Sequence, residues 1–137
     1  MSTERNVSVR WTGRDKVFEG RAGSTAPIYL DGDSEAGPSP TEMLLMSLAA
    51  CMGIDINVIL DKGRVPAESL VVDVSGTRAP EPPRRFVSLR IAVTVEGLAE
   101  QDQPKLERSV QLSRDKYCSV FHTLDPELDV EVSAARA

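Results

Sequence analysis

An α+β architecture in the order βββ–α–ββ–α–β follows from three features of this 137-residue sequence. Apolar and polar residues alternate with a period of two near the start, past the middle and at the end of the chain, which marks half-buried strands. One long segment, Pro40 to about Lys62, is apolar on nearly every helical face. The strand signals come in runs, without the strict strand–helix alternation of a parallel sheet. The length suits one domain spanning 1–137, because domains typically run ~100–200 residues. A chain this size can bury roughly two thirds of its unfolded surface, so a full core is within reach.

Val7, Val9 and Trp11 alternate with Ser8 and Arg10 and predict the first strand. Gly13-Arg14-Asp15-Lys16 reads as a turn. Val17 to Ala22 and Ala26 to Leu30 follow as two short strands split by Gly23-Ser24, completing a meander. Asp31 to Pro40 is a polar loop broken by Gly32, Gly37 and Pro38. It holds neither GxxxxGK[ST] nor GxGxxG, so no phosphate cradle is expected there. Ser39 as N-cap, Pro40 at the first helical position and Glu42 three residues after Ser39 predict a capping box.

The helix that starts there carries Leu44, Leu45, Met46, Leu48, Cys51, Met52, Ile54, Ile56, Val58, Ile59 and Leu60. A helix of ~23 residues is about 35 Å long. A single small domain struggles to cover it, so a second copy of the chain is expected over part of it. Gly63 and Pro66 end it. Leu70 to Ser75 reads as a strand, and the proline-rich stretch Arg78 to Arg85 as an exposed loop. Val87, Leu89, Ile91, Val93 and Val95 alternate strictly and predict a long strand. Leu98 to Tyr117 reads as mostly helical, with Pro104 in its first turn. A short turn or helix runs to Leu124, Asp125-Pro126 breaks it, and Leu128, Val130 and Val132 predict the last strand.

Composition excludes several function classes. Sixteen basic against 21 acidic residues give a net charge of −5, so no nucleic-acid partner is expected. The longest charge-free apolar run, Met43 to Ile54, has twelve residues, whereas a bilayer span needs about 20. No membrane partner and no targeting segment are expected, and the predicted location is cytoplasmic.

The side chains with chemistry are few. Cys51 lies inside the apolar helix and Cys118 near the end of the second helical region. They are too far apart for a CxxC motif. Two readings stand side by side. Each can pack as a small hydrophobe. Alternatively the two meet in the fold, one as a low-pKa thiolate and the other resolving its oxidised form. His122 is the sole histidine and reads as a surface or satisfied side chain. A metal site would have to recruit carboxylates, so neither metal nor cofactor is expected. Arg14 and Arg21 read as surface charges unless one folds back onto a thiol.

The segment Gly37-Pro38-Ser39-Pro40-Thr41-Glu42-Met43-Leu44-Leu45-Met46-Ser47-Leu48-Ala49-Ala50-Cys51 resembles the central-helix motif of the OsmC/Ohr family. Lys116-Tyr117-Cys118-Ser119-Val120 resembles that family's second-cysteine motif. Motif spacing and flanking elements agree over essentially the whole chain, and the second motif is similar to that of the YhfA-type branch. The resemblance implies a domain-swapped homodimer with two long central helices wrapped by sheets from both chains. It also implies thiol-dependent reduction of organic hydroperoxides, with Cys51 peroxidatic, Cys118 resolving and an external dithiol as reductant.

A free thiol near pKa 8.5 is only a few per cent ionised at neutral pH, and burial works against ionisation. The family supplies an arginine from a Gly-Arg motif after the first strand. Gly13-Arg14 resembles that motif, which makes Arg14 the candidate. The family's supporting glutamate stands ten residues before the first cysteine. Thr41 occupies that position here. Glu42, about 100° further round the helix, is the candidate for its role. An apolar helix beside the thiol favours alkyl or aryl hydroperoxides over hydrogen peroxide. The alternative is a weakly active or non-catalytic dimer of the same fold, serving as a redox sensor or binding an apolar ligand.

Overall fold

A computed structural model describes residues 3–137. The chain divides into two compact units, Met1–Leu44 and Leu45–Ala137.

The first unit holds the meander. Strands β1 (Ser8–Trp11), β2 (Val17–Arg21) and β3 (Ile28–Asp31) pair in that order, antiparallel throughout. The β1–β2 turn needs backbone in the left-handed region, with Gly13 at φ +88° and Asp15 at φ +44°. The Trp11 indole N–H closes it by donating to the Asp15 carbonyl at 3.0 Å. The period of two in β1 is present, but Val9 and Trp11 are both exposed, so the strand is not half-buried within the chain.

After β3 the chain turns through a loop organised by the Asp31 carboxylate. It accepts from the backbone N–H groups of Asp33 (2.9 Å), Glu35 (3.2 Å) and Ala36 (2.9 Å). Those bonds to the ionised form hold its pKa below the usual carboxylate value. Gly37 lies so close to the Tyr29 carbonyl oxygen that a Cβ would sit 2.2 Å from it, which only glycine permits.

Helix α1 (Pro40–Lys62) begins in the first unit and continues into the second. Its start is the expected capping box. The Glu42 N–H donates to Ser39 Oγ at 3.2 Å, and the Ser39 N–H donates to Glu42 Oε1 at 2.9 Å. By length and composition α1 would suit a bilayer, with a mean hydropathy of 2.0 over 18 residues. The twelve-residue run without charge did not suggest this, because the helix tolerates Asp55. Core helices of soluble proteins meet the same description. Here Leu48, Met52, Ile56 and Leu60, spaced four apart, form a fully buried stripe.

The second unit packs that stripe on a mixed sheet of β4 (Ser69–Arg78), β5 (Phe86–Glu96) and β6 (Asp129–Arg136). β4 and β5 are antiparallel, whereas β5 and β6 are parallel. A parallel neighbour requires a crossover, and the helical region between β5 and β6 supplies it. Leu89, Ile91, Val93 and Val95 of β5 meet the α1 stripe in one core, joined by Leu106, Val110 and Cys118.

The region expected to be mostly helical over 98–117 is helical from Glu100 to Tyr117, in three pieces. Glu100–Asp102 is a 3₁₀ turn, α2 covers Gln103–Leu112, and Ser113–Tyr117 widens into a π-helical turn. A short α3 (Ser119–Thr123) follows. β4 also outruns its expected Leu70–Ser75 span and reaches Arg78, because its pairing with β5 continues past Gly76 through a bulge at Thr77/Arg78.

Candidate functional site

Two local devices of the second unit set the site. On α1, Cys51 and Asp55 are four residues apart and so lie on one face. Opposite them, the π turn displaces the chain by one residue, and its closing bond runs from the Cys118 N–H to the Ser113 carbonyl at 2.8 Å. Such insertions are frequent at functional sites. Cys118 then leaves the helical region, with φ −74° and ψ 103°, and becomes the N-cap of α3. Its sulfur accepts from the Phe121 N–H at 3.3 Å.

The result is a cluster in which Cys51 Sγ, Cys118 Sγ and an Asp55 carboxylate oxygen all lie within 4.8 Å of one another. Both cysteines are free thiols. Cys118 is fully buried, and Cys51 and Asp55 are half-buried. The buried Ser113 hydroxyl donates to Asp55 Oδ2 at 2.8 Å and fixes the carboxylate. One residue thus shapes the site twice, through its carbonyl at Cys118 and its hydroxyl at Asp55.

Burial first of all, then the hydrogen bond with Cys51 and the negative charges of Cys51 and Asp55, push the Cys118 thiol up to about 12; the Phe121 N–H opposes them. Cys118 therefore stays protonated at neutral pH. The sign for stability follows. Above the ordinary thiol value the unfolded chain has lost a proton that the native chain keeps, so this residue's contribution declines as pH rises toward about 12.

Of the residues expected from sequence, Cys51 and Cys118 come together. Arg14 and Glu42 belong to the first unit. Arg14 is exposed in the β1–β2 turn, its N–H donating to Thr12 Oγ1 at 3.3 Å. The Glu42 carboxylate is engaged by the Ser39 N–H and the Ser34 hydroxyl, which lower its pKa. Arg21 pairs with Glu19 at 2.6 Å. His122 is exposed, its ring edge-on to Phe121 with centroids 5.8 Å apart.

Asp55 and Ser113 were not singled out by sequence reasoning. The signal for Asp55 was present: it is the only charged residue between Met43 and Leu60. A lone charge in an apolar helix, one turn from a cysteine, asks for a partner.

On another face of α1, the helix and β4 line an open groove of about 680 Å³ that includes none of Cys51, Asp55 and Cys118. Met46, Ala50, Gly53 and Ile54 line it on the helix side, and Leu70 and Val72 on the strand side. At Gly53 the helix lies close enough to β4 that a Cβ would make ordinary contact with Val72 at 3.5 Å.

Comparison with known proteins places these features. The profile of the family described as OsmC-like protein matches residues 31–133. Protein YhfA of Escherichia coli K12 is 35% identical over 123 residues, covering 89% of this chain and 90% of that protein. A solved hypothetical protein of Aquifex aeolicus superimposes with a TM-score of 0.87 at 26% identity, covering 99% of this chain and 98% of the other. The organic hydroperoxide resistance protein OhrB of Bacillus subtilis shares the fold with a TM-score of 0.63 at 14% identity, over 96% and 98% of the two chains.

The unequal burial of the two thiols makes a direct prediction. Iodoacetamide at about pH 8, just below the ordinary thiol value, alkylates Cys51 first and leaves Cys118 unmodified until the chain unfolds. Peptide mass spectrometry reads this, and equal labelling of both cysteines in the native chain would contradict the assigned environments.

Proposed function

The chain belongs to the OsmC-like family, and from that premise we propose that it reduces organic hydroperoxides with Cys51 as the attacking thiol and Cys118 as the resolving one. The observation that carries this reading is the approach of the two sulfurs to within 4.8 Å, from opposite ends of the second unit's sequence. A disulfide bond needs about 2.05 Å, so side-chain rotation must close the remainder.

The roles follow from the environments. Cys118, fully buried and with its thiol pushed up to about 12, does not meet substrate as a thiolate, which leaves that part to the half-buried Cys51. The Cys51 thiolate attacks the outer peroxide oxygen. The O–O bond breaks, an alkoxide leaves as the alcohol on taking a proton, and Cys51 becomes a sulfenic acid. Cys118 then attacks that sulfur. Its proton leaves with the sulfenic hydroxyl as water, and the Asp55 carboxylate beside it is placed to relay that proton. An external dithiol reduces the disulfide by exchange and is itself oxidised to a disulfide. Arg14 is the residue proposed to favour the Cys51 thiolate, and Glu42 the carboxylate proposed to support Arg14. The apolar residues of α1 around Cys51 suit an alkyl or aryl group, because apolar burial stabilises such a substrate over hydrogen peroxide.

The same reading makes the working unit a homodimer, with elements exchanged between copies. Val9 and Trp11 on β1, and Met46, Ile54 and Val58 on α1, are exposed apolar side chains that a second copy would cover. Sedimentation equilibrium is expected to give twice the chain mass of 14.9 kDa, and a species of single-chain mass at micromolar concentration would remove the dimer.

Turnover is the test of the activity. Cumene hydroperoxide with excess dithiol is consumed by the wild-type chain with kcat/KM well above that for hydrogen peroxide. Cys51→Ser abolishes consumption. Cys118→Ser retains one stoichiometric reduction and loses sustained turnover. Absence of consumption by the reduced wild-type protein would defeat the proposal.

A further inference from the structure

We infer that Cys51, Asp55 and Cys118 also form a binding site for a zinc ion, which holds both sulfurs when occupied. The inference rests on the geometry of the cluster and stands whether or not the chain reduces peroxides.

Three donor atoms, two sulfurs and one carboxylate oxygen, already lie within 4.8 Å of one another. Around a tetrahedral zinc ion, bonds of about 2.0–2.3 Å set neighbouring donors roughly 3.3–3.8 Å apart. Small side-chain rotations therefore complete the shell. Cys51 and Asp55 present donors from successive turns of α1, and Cys118 presents the third from the junction of the π turn and α3. Cys51 and Asp55 are half-buried, which leaves a fourth position for water. Three protein ligands with one open position is the arrangement of an exchangeable or reactive zinc rather than a closed structural one.

The chemistry of the donors selects the metal. Two thiolates favour soft or borderline ions, and the carboxylate oxygen points to zinc among them. The Ser113 hydroxyl, donating to Asp55 Oδ2 at 2.8 Å, orients the ligating carboxylate as an outer-shell partner does. The charges also close. Without metal, two potential thiolates and a carboxylate crowd together, and Cys118 keeps its proton. A divalent cation offsets that repulsion and displaces the proton, so binding releases acid and strengthens with pH. A bound zinc ion occupies both sulfurs and takes them out of nucleophilic chemistry.

The test uses the full-length reduced protein, freed of metal with a chelator, and no peroxide, so its failure and failure of the turnover assay are separable. Titration with Co²⁺ is expected to saturate at one ion per chain. It should give thiolate-to-cobalt charge-transfer absorption and intense tetrahedral visible bands, both bleached by equimolar Zn²⁺. Cys51→Ser and Cys118→Ser each weaken the charge-transfer band, and Asp55→Asn and Ser113→Ala each lower affinity by about tenfold or more. Circular dichroism checks that each variant folds. Should a variant fail to fold, the wild-type chain still decides, because Zn²⁺ must protect Cys51 from iodoacetamide. No charge-transfer band, no protection, or an Asp55→Asn variant that binds as tightly as wild type would overturn the site.

Discussion

The meeting of Cys51, Asp55 and Cys118 depends on the π turn that precedes Cys118. If α2 simply continued as an α-helix through Ser113–Tyr117, Cys118 would fall about 100° out of phase with its observed position. The Cys118 N–H bond to the Ser113 carbonyl at 2.8 Å sets the wider turn, and the N-capping role of Cys118 stops the helix there. The cost of poorer hydrogen-bond geometry in such a turn is offset by core burial, since Cys118 packs with Leu89, Ile91 and the α1 stripe. Cys118 is a core residue, and its sulfur also lies within 4.8 Å of the Cys51 sulfur, as the reactive reading requires.

Electrostatics divide the labour between the sulfurs. A buried thiol facing a carboxylate is a poor acid, and Cys118 is held protonated for that reason. In the proposed reaction this asymmetry separates a resolving thiol from one that meets substrate, without requiring different residue types. Burial dominates this separation and Asp55 contributes to it. Its charge adds to the upward push on Cys118 after burial and Cys51, and in the proposed reaction it stands beside the departing proton. The expectation of no metal rested on His122 being the sole histidine, whereas the inferred zinc site draws on two thiols and one carboxylate.

Much of the architecture was legible because it obeys simple periodicities. The β5 alternation, the Ser39–Glu42 capping box and the α1 stripe all appear where the pattern of residues put them. The element order and the family both emerge as expected. What escaped has physical causes. A π insertion leaves no mark on hydrophobic spacing over five residues, so 98–117 read as mostly helical without it. The proximity of Cys51 and Cys118 is a tertiary fact spanning 67 positions, and only the family motifs announced it. Asp55 was hidden by the apolar residues around it, although its isolation was the clue. Glu42 shows the opposite case: the capping pattern foretold its hydrogen bonds, and these occupy the carboxylate that the catalytic role would also use.

The link between the two sulfurs is the claim from which the rest proceeds, and disulfide mapping after a single oxidation tests it most directly. The reduced protein is exposed to one equivalent of cumene hydroperoxide, free thiols are blocked, and the chain is digested without reductant. The account predicts one dominant cross-linked peptide pair joining Cys51 to Cys118. Recovery of Cys51 as a sulfinic acid alongside an unmodified Cys118 would contradict it, because the two sulfurs would then have failed to meet when one of them was oxidised.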